Sequence, residues 1–369
     1  MSKKKVAFFV SGLNAGGTEN YLLRFIIFYK NEIVPTVYCK SGSGGDLENE
    51  YLKAGATIVK RKLGYLNPIG MFRYYKSMRQ NEFSAIVDLT GNFGGIPLTL
   101  ARLSGIKVRI AFYRNADNKF KGSVFKNFYN WLIKKLVMIN STRIFSNSKA
   151  ALDFFFGDNW INKRRQCFKV IYNGIDTQTF VKDTVKGLKI RNELGIPENG
   201  FVIGHVGRYN EQKNHSTILQ VAKELCKHDS DIYFLLCGKN VPLRLLNTIV
   251  EMKLETRIFL LDVRRDVSSV LSSMNCFYFP SVVEGQPNAL IEAMVVGLPI
   301  VASNISSIKE TIHPRCHNQL VSPFDVDEAS HKILEIKNKD SLMDGFNLSE
   351  WASNYYDAGR WFCELYKEI

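Results

Sequence analysis

No window of the 369-residue sequence offers 18 uncharged apolar residues, so nothing in it reads as a membrane span. No Cys-x-x-Cys pair occurs among the seven cysteines, and an odd count suits no closed disulfide set. A reducing, cytoplasmic setting follows. Cys39, Cys237 and Cys276 sit in apolar runs, where a free thiol behaves as a small core residue. No histidine precedes His205. Asp229 and Asp231 directly precede a strand-like run and do not sit in a site loop, so no metal is expected on them. The apolar run Val6–Val10 is too short for a secretory leader. Internal repeats and low-complexity tracts are absent.

Acidic residues are scarce in one half only. Residues 1–177 carry 28 Lys+Arg against 11 Asp+Glu, a balance of +17; the whole chain is +14, which leaves −3 for residues 178–369. A basic half implies an anionic partner: nucleic acid, acidic lipid or a phosphorylated substrate. No interleaved aromatic–basic RNA motif or recognition helix is present, so no nucleic acid is expected.

Short β-branched and aromatic runs alternate with longer helical patterns, the signature of parallel α/β sheets. Strands are expected at 6–10, 33–39, 85–89, 107–113, 143–145 and 169–171. The polar stretch 176–189 reads as a linker. A second series follows at 201–206, 232–237, 257–260, 276–279 and 299–302. The spacing predicts a last helix over 349–369. Two domains are expected, 1–177 and 178–348, the first completed by 349–369. Ligands of such folds bind at the carboxyl ends of the strands.

Three segments carry chemistry. Ser11–Glu19 holds Asn14, Gly16 and Gly17 between a strand and a helix, where free amides favour an anion. Gly207-Arg208 with Lys213-Asn214 repeats that arrangement and adds two cations suited to a diphosphate. Phe279–Ser303 places Glu284 in a Gly/Pro-shaped loop and Glu292 on a helix that opens near Asn288, a good N-cap, and stops at Gly297. Glu292 has apolar neighbours and needs partners, such as sugar hydroxyls.

Glu284 and Glu292 within P-S-x-x-E-G-x-P-x-x-x-I-E-A resemble the donor-site signature of family 4 retaining glycosyltransferases. Asn173-Gly-Ile-Asp176, the Arg208/Lys213 segment and Gly16-Gly17 with Glu19 resemble further motifs of that family in the same order. The E-G-x-P variant resembles the branch that serves capsule, exopolysaccharide and O-antigen assembly. The resemblance implies the α/β GT-B fold, two tandem Rossmann-like doubly wound parallel-sheet domains facing across a cleft. It implies transfer of a sugar with retention from a nucleotide-diphosphate donor, with a UDP-sugar expected, to a glycan or polyprenyl-diphosphate-linked acceptor. Arg208, Lys213 and Glu284 would act on the leaving diphosphate and sugar. Glu284, Gly285, Gln286, Pro287, Asn288 and Ala289 would hold the sugar, Glu292 the ribose, Val263 the base, and Gly16 and Gly17 the donor from the first domain. No metal and no cofactor is implied. Many members carry a first-domain histidine after a strand like 107–113; here Arg114 and Asn115 stand there. With Asn14 they are the acceptor-side candidates, and Arg114 reads equally as a phosphate ligand or a surface arginine. A nucleotide-sugar epimerase of the same fold, and a relative that binds without turnover, stay open.

In residues 120–138, Phe125, Phe128, Leu132 and Leu136 recur at helical spacing, with Lys126, Lys134 and Lys135 on other faces. The expectation is an apolar side packed in its domain and lysines presented to anionic lipid, on the inner face of the cytoplasmic membrane.

Overall fold

In the computed structural model, residues 3–64, 67–114, 124–160, 167–338 and 346–369 are described. They form two compact units, 1–174 with 359–369, and 175–358. Among them no helix is long and apolar enough to cross a membrane.

The first unit is a parallel seven-stranded sheet in the order β3-β2-β1-β4-β5-β6-β7. Its strands are β1 (Lys4–Val10), β2 (Ile33–Cys39), β3 (Thr57–Lys60), β4 (Ala85–Asp88), β5 (Val108–Tyr113), β6 (Arg143–Ser146) and β7 (Phe168–Val170). β1 reads as a continuous apolar run because both its faces are covered: Val6 to Val10 are wholly buried. The order reverses between β1 and β4, where doubly wound sheets bind ligands at the carboxyl ends.

The second unit is a parallel six-stranded sheet, β10-β9-β8-β11-β12-β13. It comprises β8 (Phe201–Val206), β9 (Ile232–Cys237), β10 (Ile258–Leu261), β11 (Cys276–Phe279), β12 (Ile300–Ser303) and β13 (Leu320–Val321). Each unit is thus a Rossmann-like layer of helices and parallel strands, the GT-B fold that the resemblance implied.

Three expectations change. The polar stretch 176–189 is not all linker. Asp183 caps a helix, Thr184–Leu194, by accepting from the Lys186 amide. Its polarity hides a buried arginine: Arg191 donates to the carbonyls of Ser273, Glu198 and Gly200 and to Asn275 Oδ1. Gly187 lets this helix approach closely, since a Cβ there would lie 2.4 Å from the Ser272 carbonyl oxygen.

The expected last helix is two. Leu348–Tyr355 belongs to the second unit, and Ala358–Tyr366 to the first apart from its opening residue. Between them Ile175 and Asp357 form a parallel bridge. Phe362 packs edge-on against Tyr21 and Phe25, while Tyr366 stacks on Tyr29 at 4.3 Å. Lys169 binds Glu364 at 2.6 Å, and with Lys367 it holds that carboxyl down at about 2.

The helix Val124–Asn140 buries a different stripe from the expected one. Ile133, Val137 and Asn140 face inward, while Phe128, Trp131 and Leu132 are exposed. The helix is apolar on more than one side, so spacing alone could not choose the buried face. Phe125 and Lys126 lie outside the described side chains.

Candidate functional site

The second unit's motif residues converge at the carboxyl ends of β8, β9 and β11. Two loops are tied there by backbone: Gly207 N–H donates to the Cys237 carbonyl and Tyr209 N–H to that of Lys239. Gly238 sits at φ +156°, and a Cβ on it would lie 2.2 Å from the Gly207 carbonyl oxygen. Only glycine permits that approach.

Arg208 rides this loop with its side chain exposed. Lys213 ends a short 3-10 turn, Glu211–Lys213, which the Asn210 side chain caps by accepting from the Lys213 amide. Lys213 Nζ donates to Glu284 Oε1 at 2.6 Å, with side-chain exposures of 16% and 13%. It also stands 4.5 Å from the centroid of the Phe279 ring. Two sequence motifs 71 residues apart therefore meet in one ion pair. An ammonium has three donors, so one bond to Glu284 leaves two directions for further acceptors.

Asn214, left without a role by the sequence, fixes this arrangement. It adopts the left-handed conformation at φ 54°. Its Nδ2 donates to the Pro280 and Pro323 carbonyls, and its Oδ1 accepts from Ser216 and Thr217. Below the loop, His205 and His215 pack edge to face at 5.1 Å. His205 Nδ1 bonds the Tyr278 carbonyl, and the ring stacks with Phe279 at 5.4 Å. Burial, with the neighbouring imidazole and Lys213, holds His205 well below its usual value. Burial and the Lys213 charge bring His215 down to about 4. Two neutral imidazoles therefore support the cationic loop without adding charge. A histidine directly after Lys-Asn was the one sequence sign of this pair.

The helix after β11 is Asn288–Val296, and its N-cap is Pro287, not Asn288. The backbone is already extended at Pro287, so Asn288 is taken into the first turn. The cap residue makes no side-chain hydrogen bond to this end. Gly297 closes the helix at φ 84°. Gly285, Gln286 and Pro287 are buried, Asn288 and Ala289 half-buried. Gln286 lies against the Tyr356 hydroxyl, so its side chain is engaged within the fold. Glu292 is half-buried between buried Ile291 and Ala293. Val263 is 61% exposed, and its N–H donates to Asp262 Oδ1.

In the first unit, Gly16 is the N-cap of the helix Gly17–Phe28. The anion expected there has an internal rival: a Cβ on Gly16 would lie 2.6 Å from Glu19 Oε2, so the helix's own carboxylate folds back over its start. Asn14 is exposed. Arg114 is no surface arginine; it is 6% exposed at the end of β5, 3.7 Å from the Tyr21 ring centroid. Asn115 lies outside the described residues. Sequence reading missed a buried pair nearby: Lys40, just after β2, donates to Asp88 Oδ2 at 3.1 Å at the end of β4. Thr90 and the Phe93 carbonyl complete that network.

Among the described residues no group of three or more His, Cys, Asp or Glu is placed to hold a metal ion.

Residues 188–348 match the model of the family described as glycosyl transferases, group 1. The chain is 26% identical over 335 residues to the glycosyltransferase EpsF of Bacillus subtilis, covering 84% of this chain and 81% of that protein. It is 26% identical over 290 residues to the UDP-Gal:alpha-D-GlcNAc-diphosphoundecaprenol alpha-1,3-galactosyltransferase of Escherichia coli, covering 74% of each. Anabaena Alr3699/HepE, solved with UDP and glucose, superposes with a TM-score of 0.83 at 17% identity, over 99% of this chain and 98% of that one.

Proposed function

We propose that the chain is a glycosyltransferase that takes a sugar from a uridine diphosphate donor and places it on a glycan or polyprenyl-diphosphate-linked acceptor in surface polysaccharide assembly. The observation that carries this reading is the Lys213–Glu284 pair, which joins the cationic loop to the carboxylate loop at one set of strand ends. The group 1 match covers that same segment, and the E. coli relative is named for a UDP-linked donor and a diphosphoundecaprenol acceptor.

In this reading Arg208 and Lys213 hold the diphosphate. Negative charge grows on it as the sugar leaves with oxocarbenium character, and two preorganised cations lower that barrier. Glu284 holds Lys213 with one oxygen and a sugar hydroxyl with the other. The start of the helix Asn288–Val296 faces developing charge, and Glu292 accepts from the ribose hydroxyls. The transfer retains configuration and needs no metal, since side chains and a helix start neutralise the phosphates. The roles of Gly16 and Gly17 toward the donor are weakened by Glu19, which already sits over that helix start.

The basic first unit suits the inner face of the cytoplasmic membrane. Exposed Phe128 and Trp131 stack at 5.8 Å, with Lys135 5.0 Å from the Trp131 ring. Aromatic rings beside lysines fit an interface of anionic lipid. Salt-sensitive binding to anionic vesicles is expected; equal binding to neutral vesicles removes this part.

Screening UDP- and GDP-sugars by thermal shift tests the donor reading, because any bound donor raises apparent stability. No shift with any of them would overturn it.

A further inference from the structure

The first unit holds a group of polar atoms that its own fold leaves unsatisfied. Among the described residues, Arg114 Nε and Nη1, Arg24 Nε and Asn147 Oδ1 are buried without a hydrogen-bond partner, and the Tyr21 hydroxyl lies against the Arg114 guanidinium. They are neighbours. Arg114 lies over the Tyr21 ring at 3.7 Å and the Phe112 ring at 5.0 Å. Asn147 Nδ2 donates to the Arg114 carbonyl at 3.2 Å. Arg24 is one turn along the helix from Tyr21, and its charge acts on Arg114. Burial lowers Arg114 to about 10, which leaves it charged near neutral pH.

Buried guanidinium groups are normally paired with a carboxylate, because an unpaired buried charge is costly. Here two cations lie close together, and among the described residues neither has a carboxylate within 4.0 Å. Glu19 is near enough to favour the charged form of Arg114 but does not pair with it. The ring faces of Tyr21 and Phe112 fix the guanidinium plane, and among the described residues its buried Nε and Nη1 meet no acceptor. This is the arrangement of an anion site prepared in advance. It stands at the carboxyl end of β5, the strand next to the β1–β4 reversal, on the side of the sheet where doubly wound folds bind ligands.

We propose that Arg114, with Arg24 beside it and Asn147 holding its backbone carbonyl, forms an anion subsite in the first unit that takes a phosphoryl group of the acceptor. The acceptor assignment rests on the transferase reading above; the anion site does not. Phosphoryl oxygens accept from several N–H donors at once and match a cationic pair better than a neutral hydroxyl does. The site thereby selects acceptors that carry phosphate over neutral glycans.

The test is calorimetric titration of pyrophosphate into the full chain saturated with UDP, so that the cations of the second unit are already occupied. Wild type binds. Arg114→Met, close in volume but uncharged, weakens pyrophosphate by about tenfold or more, the loss expected for hydrogen bonds to a charged group. UDP binding is unchanged in that variant. Should Arg114→Met fail to fold by circular dichroism, Arg24→Gln, on a half-buried helix position, carries the same test. Equal pyrophosphate affinity in the folded variant and wild type, or no binding to wild type, overturns the proposal. Glucuronate is the second probe: if it binds in an Arg114-dependent way and pyrophosphate does not, the subsite serves an acidic sugar and the phosphoryl assignment fails. Loss of UDP binding alone sinks the donor reading and leaves the Arg114 comparison, made without UDP, still decisive.

Discussion

Replacing Lys213 with methionine removes one charge and leaves a chain of similar length over the Phe279 ring. Two effects follow from the geometry. The first is on stability. Lys213 and Glu284 are 16% and 13% exposed, between a surface pair and a fully buried one. Losing one partner should cost about 1–3 kcal/mol, above the surface value and below the buried one. Glu284→Gln keeps an oxygen to accept from Lys213 and should cost less. The double variant should recover part of the combined loss, because the charge stranded by each single change is gone. The second effect is on ligand. Lys213 supplies a charged donor to the diphosphate, so UDP affinity should fall roughly 10- to 150-fold in Lys213→Met. Glu284→Gln should leave UDP nearly untouched but weaken UDP-sugar. Titration calorimetry with UDP and with UDP-sugar reads both. Unchanged UDP affinity in a folded Lys213→Met protein would remove Lys213 from the diphosphate site, whatever happens to stability.

Other outcomes follow from the same packing. His215 is held neutral with its folded pKa near 4, below the ordinary 6.5, so the unfolded chain binds the extra proton first. Stability should therefore fall as pH drops from about 6.5 toward 4, and His215→Phe should flatten that slope in urea midpoints measured against pH. Gly238→Ala forces a Cβ to 2.2 Å from the Gly207 carbonyl; the loops must separate, and nucleotide binding should drop even where the protein still folds. Glu292→Ala should weaken binding of UDP and UDP-sugar alike, as loss of a ribose ligand requires; unchanged binding would remove Glu292 from the site. Arg191→Ala strands the Ser273, Glu198 and Gly200 carbonyls and should cost about 3 kcal/mol in thermal unfolding, with no change in UDP affinity at lower temperature.

Much of the fold was legible because buried parallel strands announce themselves. β9 and β11 are continuous apolar runs, β1 becomes one from Val6, β2 and β8 are rich in strand-forming residues and mostly buried, and a helix follows most of them. The short edge strand β3 was missed because half its residues are exposed or charged, and β13 because it has only two residues. The helix Thr184–Leu194 was missed because its buried face is glycine, isoleucine and arginine, so no apolar stripe marks it. In the site, Lys213 and Glu284 were legible by residue type and position in their loops. Their mutual bond was not, since residues 71 apart meet only through the order β8-β11. Asn214 carries its role in a left-handed backbone, and His205 with His215 carry theirs in burial, which a single sequence does not display. Arg114 is the sharpest case. Its neighbours in the chain suggest a surface loop, and only the packing of Tyr21 and Phe112 reveals a buried cation.

The most direct measurement is release of UDP from a panel of UDP-sugars, with and without a polyprenyl-diphosphate-linked glycan. Release should depend on the acceptor, be lost in Lys213→Met, and yield a product one sugar larger. Release at the same rate without acceptor, or none with any donor, would contradict the transferase reading.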